Sequence, residues 1–278
     1  MRLAALVAYD GTCFKGFQRQ APRRGRTVQG QIEDALERLT GVATPVEGAG
    51  RTDSRVHASG QVITFSSEAH HSEATWLRAL NAHLPGDIAV RAVRRVDDSF
   101  HARKSALARS YRYRILCDPV RAPLRERYAW RIHERLDVVM MREAGRRLLG
   151  EHDFGAFGSS PRDSRKDGYR GHTVRTLLQA ECDWRPPEDD APPDEAECRF
   201  TANAFLTGMV RRLIGTLVLV GVGRLSVDDF QRILEARAKA HPGILAPAQG
   251  LCLTGVHYPA GLIDWGATDG VTPDEPGS

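Results

Sequence analysis

Residues 2–9, RLAALVAY, decide how the fold of this chain begins. The run is apolar and about as long as one strand, and it lacks the small-residue cleavage site of a signal peptide. It therefore predicts a buried β-strand. Gly11 follows, and the next segment predicts a loop because it is polar and rich in cations. Those cations are Lys15, Arg19, Arg23, Arg24 and Arg26.

Signals for helices and strands alternate after this loop. Thr27 is a suitable N-cap for a helix with apolar side chains along one face, and Gly41 stands where that helix must end. The predicted order is a strand at 2–9, a helix at 28–40, strands at 43–49 and 61–66, a helix at 76–84 and a strand at 88–93. This β-α-β-β-α-β order leaves Asp53 on a polar loop between two strands.

The same order can be read again from Ser110 onward. The second set is a strand at 110–117, a helix at 136–149, strands near 172–184 and 196–202, a helix at 205–220 and a strand at 251–258, with an additional helix at 226–239. Two split β-α-β units in tandem indicate an α+β protein. We expect two ferredoxin-like units related by a pseudo-two-fold axis, with their antiparallel sheets joined and a catalytic cleft between them.

The predicted domains follow from this repeat. Residues 1–104 form an N-terminal α+β domain that carries Asp53, and residues 105–260 form a C-terminal α+β domain that completes the cleft. Residues 261–278 are an acidic tail that we expect to be disordered. Residues 185–197 are also acidic and rich in proline, which is typical of a solvated connector.

Charge is distributed unevenly over a chain whose net charge is only +4. Residues 1–180 carry 31 Lys+Arg and 20 Asp+Glu, a net charge of +11, whereas residues 181–278 carry 8 and 15, a net charge of −7. A polyanion is a natural partner for the first part. A solvated, arginine-rich surface explains the same imbalance equally well.

Composition excludes several classes of protein. Hydrophobic residues make up 41% and charged residues 27%, as in globular proteins. No apolar run approaches the roughly 20 residues that a membrane helix needs, so we expect a cytoplasmic protein without a membrane partner. The five cysteines include no C-x-x-C pair, and we expect them to be reduced, without a disulfide framework or a zinc site.

The segment 48–60, GAGRTDSRVHASG, places one carboxylate between two arginines. Opposite charge from Arg51 and Arg55 favours the anionic form of Asp53, which is the form that covalent catalysis by a carboxylate requires. On spacing alone, an ordinary loop aspartate is the commoner case. Asp53 and His57 also have the spacing of two metal ligands on a helix, but the flanking glycines disfavour a helix and no third ligand follows.

Five groups of motifs are spread along the chain. They are YDGT at 9–12 with Phe14, GFQ at 16–18 and Gln20; GRTD at 50–53 with VHA at 56–58; FHAR at 100–103 with Ser105, Ala106 and RSYRY at 109–113; Asn203 with Phe205, Leu206, MVR at 209–211 and IG at 214–215; and APA at 246–248 with Gly250 and Leu251. Together they resemble the tRNA pseudouridine synthase A family over residues 3–259.

The resemblance implies an isomerase that converts uridine to pseudouridine at positions 38, 39 and 40 of tRNA anticodon stem-loops. It implies no cofactor and no metal. A stacked base is out of reach, so the target nucleotide must be flipped into a pocket. Asp53 is then the nucleophile, which attacks either ribose C1′ or uracil C6; the residues do not decide between these routes.

The resemblance also implies roles for four further residues. Arg51 helps to flip the base, Tyr111 stacks on the uracil and can assist proton transfer, and Arg211 forms an ion pair with Asp53. Leu251 closes an apolar wall over the base. Without the resemblance, a buried strand tyrosine, a surface arginine and a core leucine are the usual interpretations of these residues.

The remaining predicted substrate-binding residues are mostly cations. They are Lys15, Arg19, Arg23, Arg24, Arg26, Arg55 and His57. The basic loop is expected to grip phosphates, with an affinity that falls as salt rises. Arg55 stands where the family usually has glycine, so it is either strained, if that glycine needs a positive φ, or an added phosphate contact.

Members of the resembled family are homodimers that bind tRNA, so we expect a homodimer here. The rival interpretation is a non-catalytic RNA-binding protein or RNA chaperone, because tandem β-α-β-β-α-β units commonly bind RNA. A metal-dependent nuclease is a third hypothesis, and it predicts sensitivity to EDTA. The Asp53 motif favours the enzyme over both.

Overall fold

The computed structural model describes residues 1–159, 173–186, 194–236 and 244–266. Its α-helices are α1 Val28–Thr40, α2 Glu73–His83, α3 Val138–Arg146, α4 Met209–Gly221 and α5 Val227–Glu235. Its strands are β1 Arg2–Tyr9, β2 Glu47–Gly48, β3 His57–Ser66, β4 Ile88–Val96, β5 Ala108–Cys117, β6 Trp130–Ile132, β7 Gly150–Asp153, β8 Val174–Trp184, β9 Glu195–Ala202 and β10 Leu251–His257. The predicted α+β class is confirmed.

The chain divides into two compact units. Unit 1 contains residues 1–110 and the described residues from 252 onward, and unit 2 lies within residues 111–251. The predicted domains 1–104 and 105–260 differ from this division at the last strand, because β10 returns to unit 1 and pairs with β3 there. Of the acidic segments at 185–197 and 261–278, residues 187–193 and 267–278 lie outside the described residues.

Unit 1 is built around β1, which pairs antiparallel with both β3 and β4. The two-residue strand β2 pairs antiparallel with β3, and β10 pairs parallel with β3 through Cys252 opposite His57. Trp76 of α2 is fully buried and meets Phe65 of β3 edge-on, with ring centroids 5.5 Å apart. The strand at 43–49 was predicted too long, since only Glu47–Gly48 are in strand conformation.

The ends of α1 follow their sequence signals. The Thr27 hydroxyl accepts a hydrogen bond from the Gly30 amide over 3.3 Å, and Gly41 ends the helix with φ of 72°. These are the N-cap and the left-handed C-cap predicted from the residue types.

Unit 2 has the strand order β5-β9-β8-β7, and β6 pairs parallel with β5. Neither β6 nor β7 was predicted. The helix predicted at 205–220 begins later, at Met209, because Gly208 before it has φ of 71° and cannot belong to a right-handed helix. The helix predicted at 226–239 is observed as α5, and residues 237–239 of that prediction lie outside the described residues.

The expectation that every cysteine is reduced is wrong for one pair. Cys182 of β8 stands opposite Cys198 of β9 in the antiparallel ladder, and the two buried side chains form a disulfide. The pairing depends on strand register, which a search for closely spaced cysteines does not detect. In the part of the chain that the structure describes, no helix is long and apolar enough to cross a bilayer.

Candidate active site

The loop that carries Asp53, residues 50–56, begins where a short ladder ends. The Ala49 amide donates to the Val62 carbonyl over 2.8 Å, the last backbone bond between this segment and β3. At Gly50 the side chain of Gln61 takes over: its Nε2 donates to the Gly50 carbonyl over 2.7 Å, and its Oε1 accepts from the Gly50 amide over 3.3 Å. The chain then leaves the sheet at Arg51.

A second loop, residues 10–18, holds the Asp53 loop from the other side. The Phe17 amide donates to the Thr52 carbonyl over 3.1 Å, and the Arg55 amide donates to the Phe14 carbonyl over 3.2 Å. We call residues 10–18 the clamp loop. It also accepts hydrogen bonds from the first amides of α1, so the helix and the Asp53 loop are fastened to the same segment.

The clamp loop approaches very closely at one glycine. A Cβ added to Gly11 would lie 2.1 Å from the Val56 carbonyl oxygen, which is well inside contact distance. A side chain at this position is therefore excluded by the backbone of the Asp53 loop. This contact explains why the clamp requires a glycine directly after Asp10.

Asp53 lies half-buried between exposed Arg51 and exposed Arg55. Its carbonyl accepts a hydrogen bond from the Val56 amide over 3.2 Å, which closes a tight turn. Thr52 before it is buried, and its hydroxyl is 2.8 Å from the phenol oxygen of Tyr9. Asp53 therefore sits, partly accessible to solvent, on a loop whose backbone is held by hydrogen bonds.

Arg55 has φ of 68°, and it is the non-glycine residue with a positive φ in the described part of the chain. The left-handed conformation costs L-residues roughly 1–2 kcal/mol. Of the two alternatives given for Arg55, backbone strain is therefore observed, because position 55 has a positive φ. The arginine is strained, and its side chain is exposed beside Asp53.

His57 was predicted to bind substrate, but it is only 6% exposed. Its Nδ1 accepts a hydrogen bond from the Gly11 amide over 3.0 Å and lies 3.2 Å from a carboxylate oxygen of Asp10. A ring nitrogen that accepts from a backbone N–H carries no proton of its own. The contacts made by His57 join the clamp loop to the start of β3, which is a structural role.

The basic loop divides into two groups of cations. Arg19 forms an ion pair with buried Glu33 over 2.7 Å, and Arg26 forms one with Asp87 over 3.1 Å while its guanidinium lies 4.6 Å above the Phe14 ring. Both arginines thus have partners within unit 1. Lys15, Arg23 and Arg24 are exposed, and among the described residues no ion pair involves them.

Unit 2 contains the other predicted catalytic residues. Tyr111 on β5 is 8% exposed, and its ring meets that of Phe205 edge-on at 5.1 Å between centroids. The Arg211 Nε donates to the Ala246 carbonyl over 2.7 Å, and the Ala246 amide donates back to the Arg211 carbonyl over 3.1 Å. Within this unit, Arg211 is thus fastened to the segment that leads to Leu251.

The side chain of Tyr113 binds the same segment, which runs from Ala246 to Leu251. Its hydroxyl donates to the Pro247 carbonyl over 2.8 Å. Burial raises the pKa of Tyr113 well above its ordinary value, although the charge of Arg211 acts in the opposite direction. The phenol therefore stays protonated and remains a donor. Leu251, 6% exposed, follows this segment at the start of β10.

Three residues that hold the Asp53 loop were missed as functional candidates. Gln61 binds Gly50, Tyr9 binds Thr52, and Arg109 Nη2 donates to the Ala49 carbonyl over 3.0 Å. Gln61 had a usable signal, because a carboxamide in the mostly apolar run QVITF needs a hydrogen-bond partner when that run is buried. Arg109 bridges Ala49 to the Arg103 and Ala106 carbonyls, contacts that no local pattern indicates.

The described residues contain no group of three or more His, Cys, Asp or Glu side chains placed to hold a metal ion. What they do provide is a half-buried aspartate on a loop whose backbone is held by hydrogen bonds, with an exposed arginine two residues before it and another two residues after it. That arrangement can support nucleophilic attack on a bound, electrophilic carbon.

Comparison with known proteins identifies the family. A family model described as tRNA pseudouridine synthase matches residues 5–103 and 144–259. The tRNA pseudouridine synthase A of Chloroflexus aurantiacus (strain ATCC 29366 / DSM 635 / J-10-fl) is 43% identical over 265 residues, which cover 95% of this chain and 91% of that protein. The tRNA pseudouridine synthase A of Bacillus subtilis (strain 168) is 39% identical over 260 residues, 93% of this chain and 99% of that protein.

Solved structures add little to this identification. A structure described as a Cbf5-Nop10-Gar1 complex covers 77% of this chain and 54% of its own, with 12% identity and a TM-score of 0.30. So low a score supports no conclusion. The extent and identity of the sequence matches are decisive, and this chain belongs to the tRNA pseudouridine synthase family.

Proposed function

We propose that this protein forms pseudouridine in tRNA and that Asp53 is its nucleophile. The reaction breaks the bond between uracil N1 and ribose C1′ and forms a bond between C5 and C1′. A proton leaves C5 and a proton is added at N1, so nothing is consumed. The observation that carries the proposal is the half-buried Asp53 on a loop held from both sides, in a chain of this family.

The surroundings of Asp53 suit an attacking carboxylate. Arg51 and Arg55 precede and follow it in the loop, and both are exposed. Attack at ribose C1′ and attack at uracil C6 both use the carboxylate as nucleophile, so the same loop serves either route. Its fixed backbone supplies the orientation that accelerates a reaction between bound groups.

The other catalytic roles are part of the same proposal. Arg51 is exposed next to Asp53, where it can help to displace the target base and occupy the gap that it leaves. Tyr111 stacks on the uracil and assists proton transfer at C5, and Leu251 covers the base. Arg211 pairs with Asp53; the bond from Arg211 to Ala246 supports this assignment only in that it gives the guanidinium a fixed support.

The proposed phosphate contacts are narrower than the predicted set. Lys15, Arg23, Arg24 and Arg55 are exposed and suit contact with the RNA backbone. The remaining predicted residues, Arg19, Arg26 and His57, have partners within unit 1, so RNA could use them only in competition with those partners or through their other donor atoms.

The target uridines, the oligomeric state, the cellular location and the fold of each half are also proposals. We propose uridines 38, 39 and 40 of the anticodon stem-loop as targets, a homodimer as the working form and the cytoplasm as the site of action. We further propose that each half is ferredoxin-like. In unit 1, the strands β4-β1-β3-β2 follow the ferredoxin-like order and each is antiparallel to its neighbour in that order, which supports that description of the first half; β10 adds a parallel partner of β3.

Replacing Asp53 tests the proposal. Asp53→Ala and Asp53→Asn should form no detectable pseudouridine in tRNA while retaining the melting temperature of the parent within a few degrees and binding tRNA. Asp98→Asn, which changes an exposed aspartate of the same unit, serves as the control and should be fully active. If the parent forms no pseudouridine but binds tRNA as tightly as the Asp53 variants do, the protein is a binding module instead.

A further inference from the structure

We infer that Gln61 is a positioning residue for the proposed reaction: its carboxamide fixes Gly50 and thereby sets where the Asp53 loop leaves the sheet. The inference rests on the proposed function of Asp53. It assigns Gln61 no contact with RNA, since its side chain is fully buried.

Gln61 binds the chain at the point where its pairing with β3 ends. β2 pairs with β3 at Glu47 and Gly48, and Ala49 adds one more bond to Val62. A further backbone bond at Gly50 would carry the segment onward along β3. The Gln61 side chain instead binds both the amide and the carbonyl of Gly50, so it replaces a strand partner for one residue.

The two bonds engage both functional atoms of the carboxamide. Nε2 donates to the Gly50 carbonyl over 2.7 Å, while Oε1 accepts from the Gly50 amide over 3.3 Å and from the Val62 amide over 3.2 Å. Because the Gln61 side chain is fully buried, a different orientation would leave one of its polar atoms unpaired. The Gly50 peptide units are thus held at a single distance from β3.

Gly50 lies three residues before Asp53, and residues before and after Gly50 are held separately. Arg109 binds the Ala49 carbonyl over 3.0 Å, and Thr52 is bound by Tyr9 and Phe17. The backbone that leads to Asp53 is therefore held at Ala49, Gly50 and Thr52. Loss of the bonds at Gly50 would remove one of these supports and let the carboxylate move relative to a bound uridine.

The experiment compares variants that remove these bonds in different ways. Gln61→Glu keeps the size and an acceptor but loses the donation to the Gly50 carbonyl. Gln61→Met keeps the approximate size and removes all three bonds of the carboxamide. The control is Thr64→Val on the same strand, which removes a fully buried hydroxyl that bonds with Arg2 and Glu47 instead of the Asp53 loop.

Two measurements separate positioning from general destabilisation. The single-turnover rate of pseudouridine formation, with enzyme in excess, should fall by about tenfold to a hundredfold in both Gln61 variants, since displacement by about 1 Å can cost that much. The Kd for tRNA should stay within about threefold of the parent, because the phosphate contacts lie elsewhere. Thr64→Val should keep the parental rate.

Several results would overturn the inference. These are a parental rate in Gln61→Glu, a loss in tRNA affinity with no loss in rate, or an equal loss of rate in Thr64→Val. If Gln61→Met does not fold, Gln61→Glu decides alone. Failure of the proposed function is seen separately, as an inactive parent or an active Asp53→Ala variant in the same assay.

Discussion

The backbone amide of Arg55 donates a hydrogen bond to the carbonyl oxygen of Phe14 over 3.2 Å, and Arg55 makes this bond with φ of 68°. The clamp loop thus holds the residue in a conformation that suits glycine better than arginine. Arg55 lies two residues after Asp53. Its substitution should therefore change both the stability of the protein and the proposed contact with RNA, and the two effects can be measured separately.

Arg55→Gly should stabilise the protein. Relief of the left-handed conformation is offset in part by the greater freedom of glycine in the unfolded chain, so the net gain is about 0.5–1 kcal/mol. We expect the melting temperature to rise by about 1–3 °C. Arg55→Val should lower it, because a β-branched residue fits a positive φ poorly. A lower melting temperature for the glycine variant would contradict the assigned strain.

The same Arg55→Gly change should weaken tRNA binding. Loss of one phosphate contact should reduce the slope of log K against log salt by about 0.7–0.9. Arg55→Lys keeps the charge and should retain most of that slope. Filter binding over a series of salt concentrations measures both variants. An unchanged slope in the glycine variant would remove Arg55 from the RNA footprint.

Arg23 and Arg24 should contribute to tRNA affinity through electrostatic contacts with phosphates. Replacing both by alanine should reduce the salt slope by about 1.4–1.8, without a change in the rate of pseudouridine formation at saturating enzyme. The matched control is Arg38→Ala with Arg78→Ala, two exposed arginines on α1 and α2. Equal changes in the salt slope of the two double variants would mean that the loss of net charge, and not the loss of contacts by Arg23 and Arg24, weakens tRNA binding.

Gly11→Ala should disturb the clamp. The new Cβ would lie 2.1 Å from the Val56 carbonyl oxygen, so the two loops must move apart. We expect a loss of about 1–3 kcal/mol of stability, typical of overpacking, and a lower rate of pseudouridine formation. Gly86→Ala is the control, because a Cβ there meets nothing within 4 Å. Thermal melting and the rate assay would show whether only the first variant suffers.

Acid should weaken an ion pair in unit 2. The hydrogen bond from Arg125 lowers the pKa of the Asp194 carboxyl group, and the two groups form an ion pair at 2.6 Å. A lowered folded pKa gives stability above the unfolded value, about 3.9, which is lost as pH falls through the folded value.

Asp194→Asn should therefore melt below the parent at pH 7, and the difference should shrink as pH falls from about 5 to 3. Melting curves over pH 3–7 measure this, with Asp98→Asn as the control. Since Asp194 is 48% exposed, the difference at pH 7 should be small. A constant difference at every pH would rule out the ion pair as its cause.

Much of the fold and part of the site could be predicted because their signals are local. Thr27 and Gly41 are the cap residues of α1, and apolar runs of strand length mark β1 and β3. The spacing of Asp53 between two arginines was visible in the same way. Each of these depends on residues within about one helical turn or one strand of each other.

Other features could not be predicted, because they join distant parts of the chain. Asp87 is 61 residues from Arg26, and its ion pair gives a cation predicted for RNA a structural role. Cys252 and His57 are brought together by the return of β10, and Cys182 meets Cys198 only through strand register.

The amino-acid sequence by itself determined the α+β class, the ends of α1, the family and the position of the carboxylate. Only the tertiary structure decided which cations are paired internally, that His57 is buried, and that Gln61, Arg109 and the clamp loop hold the segment around Asp53. The physical reason is that caps and periodicity act over a few residues, whereas hydrogen bonds and ion pairs between remote residues exist only after the chain has packed.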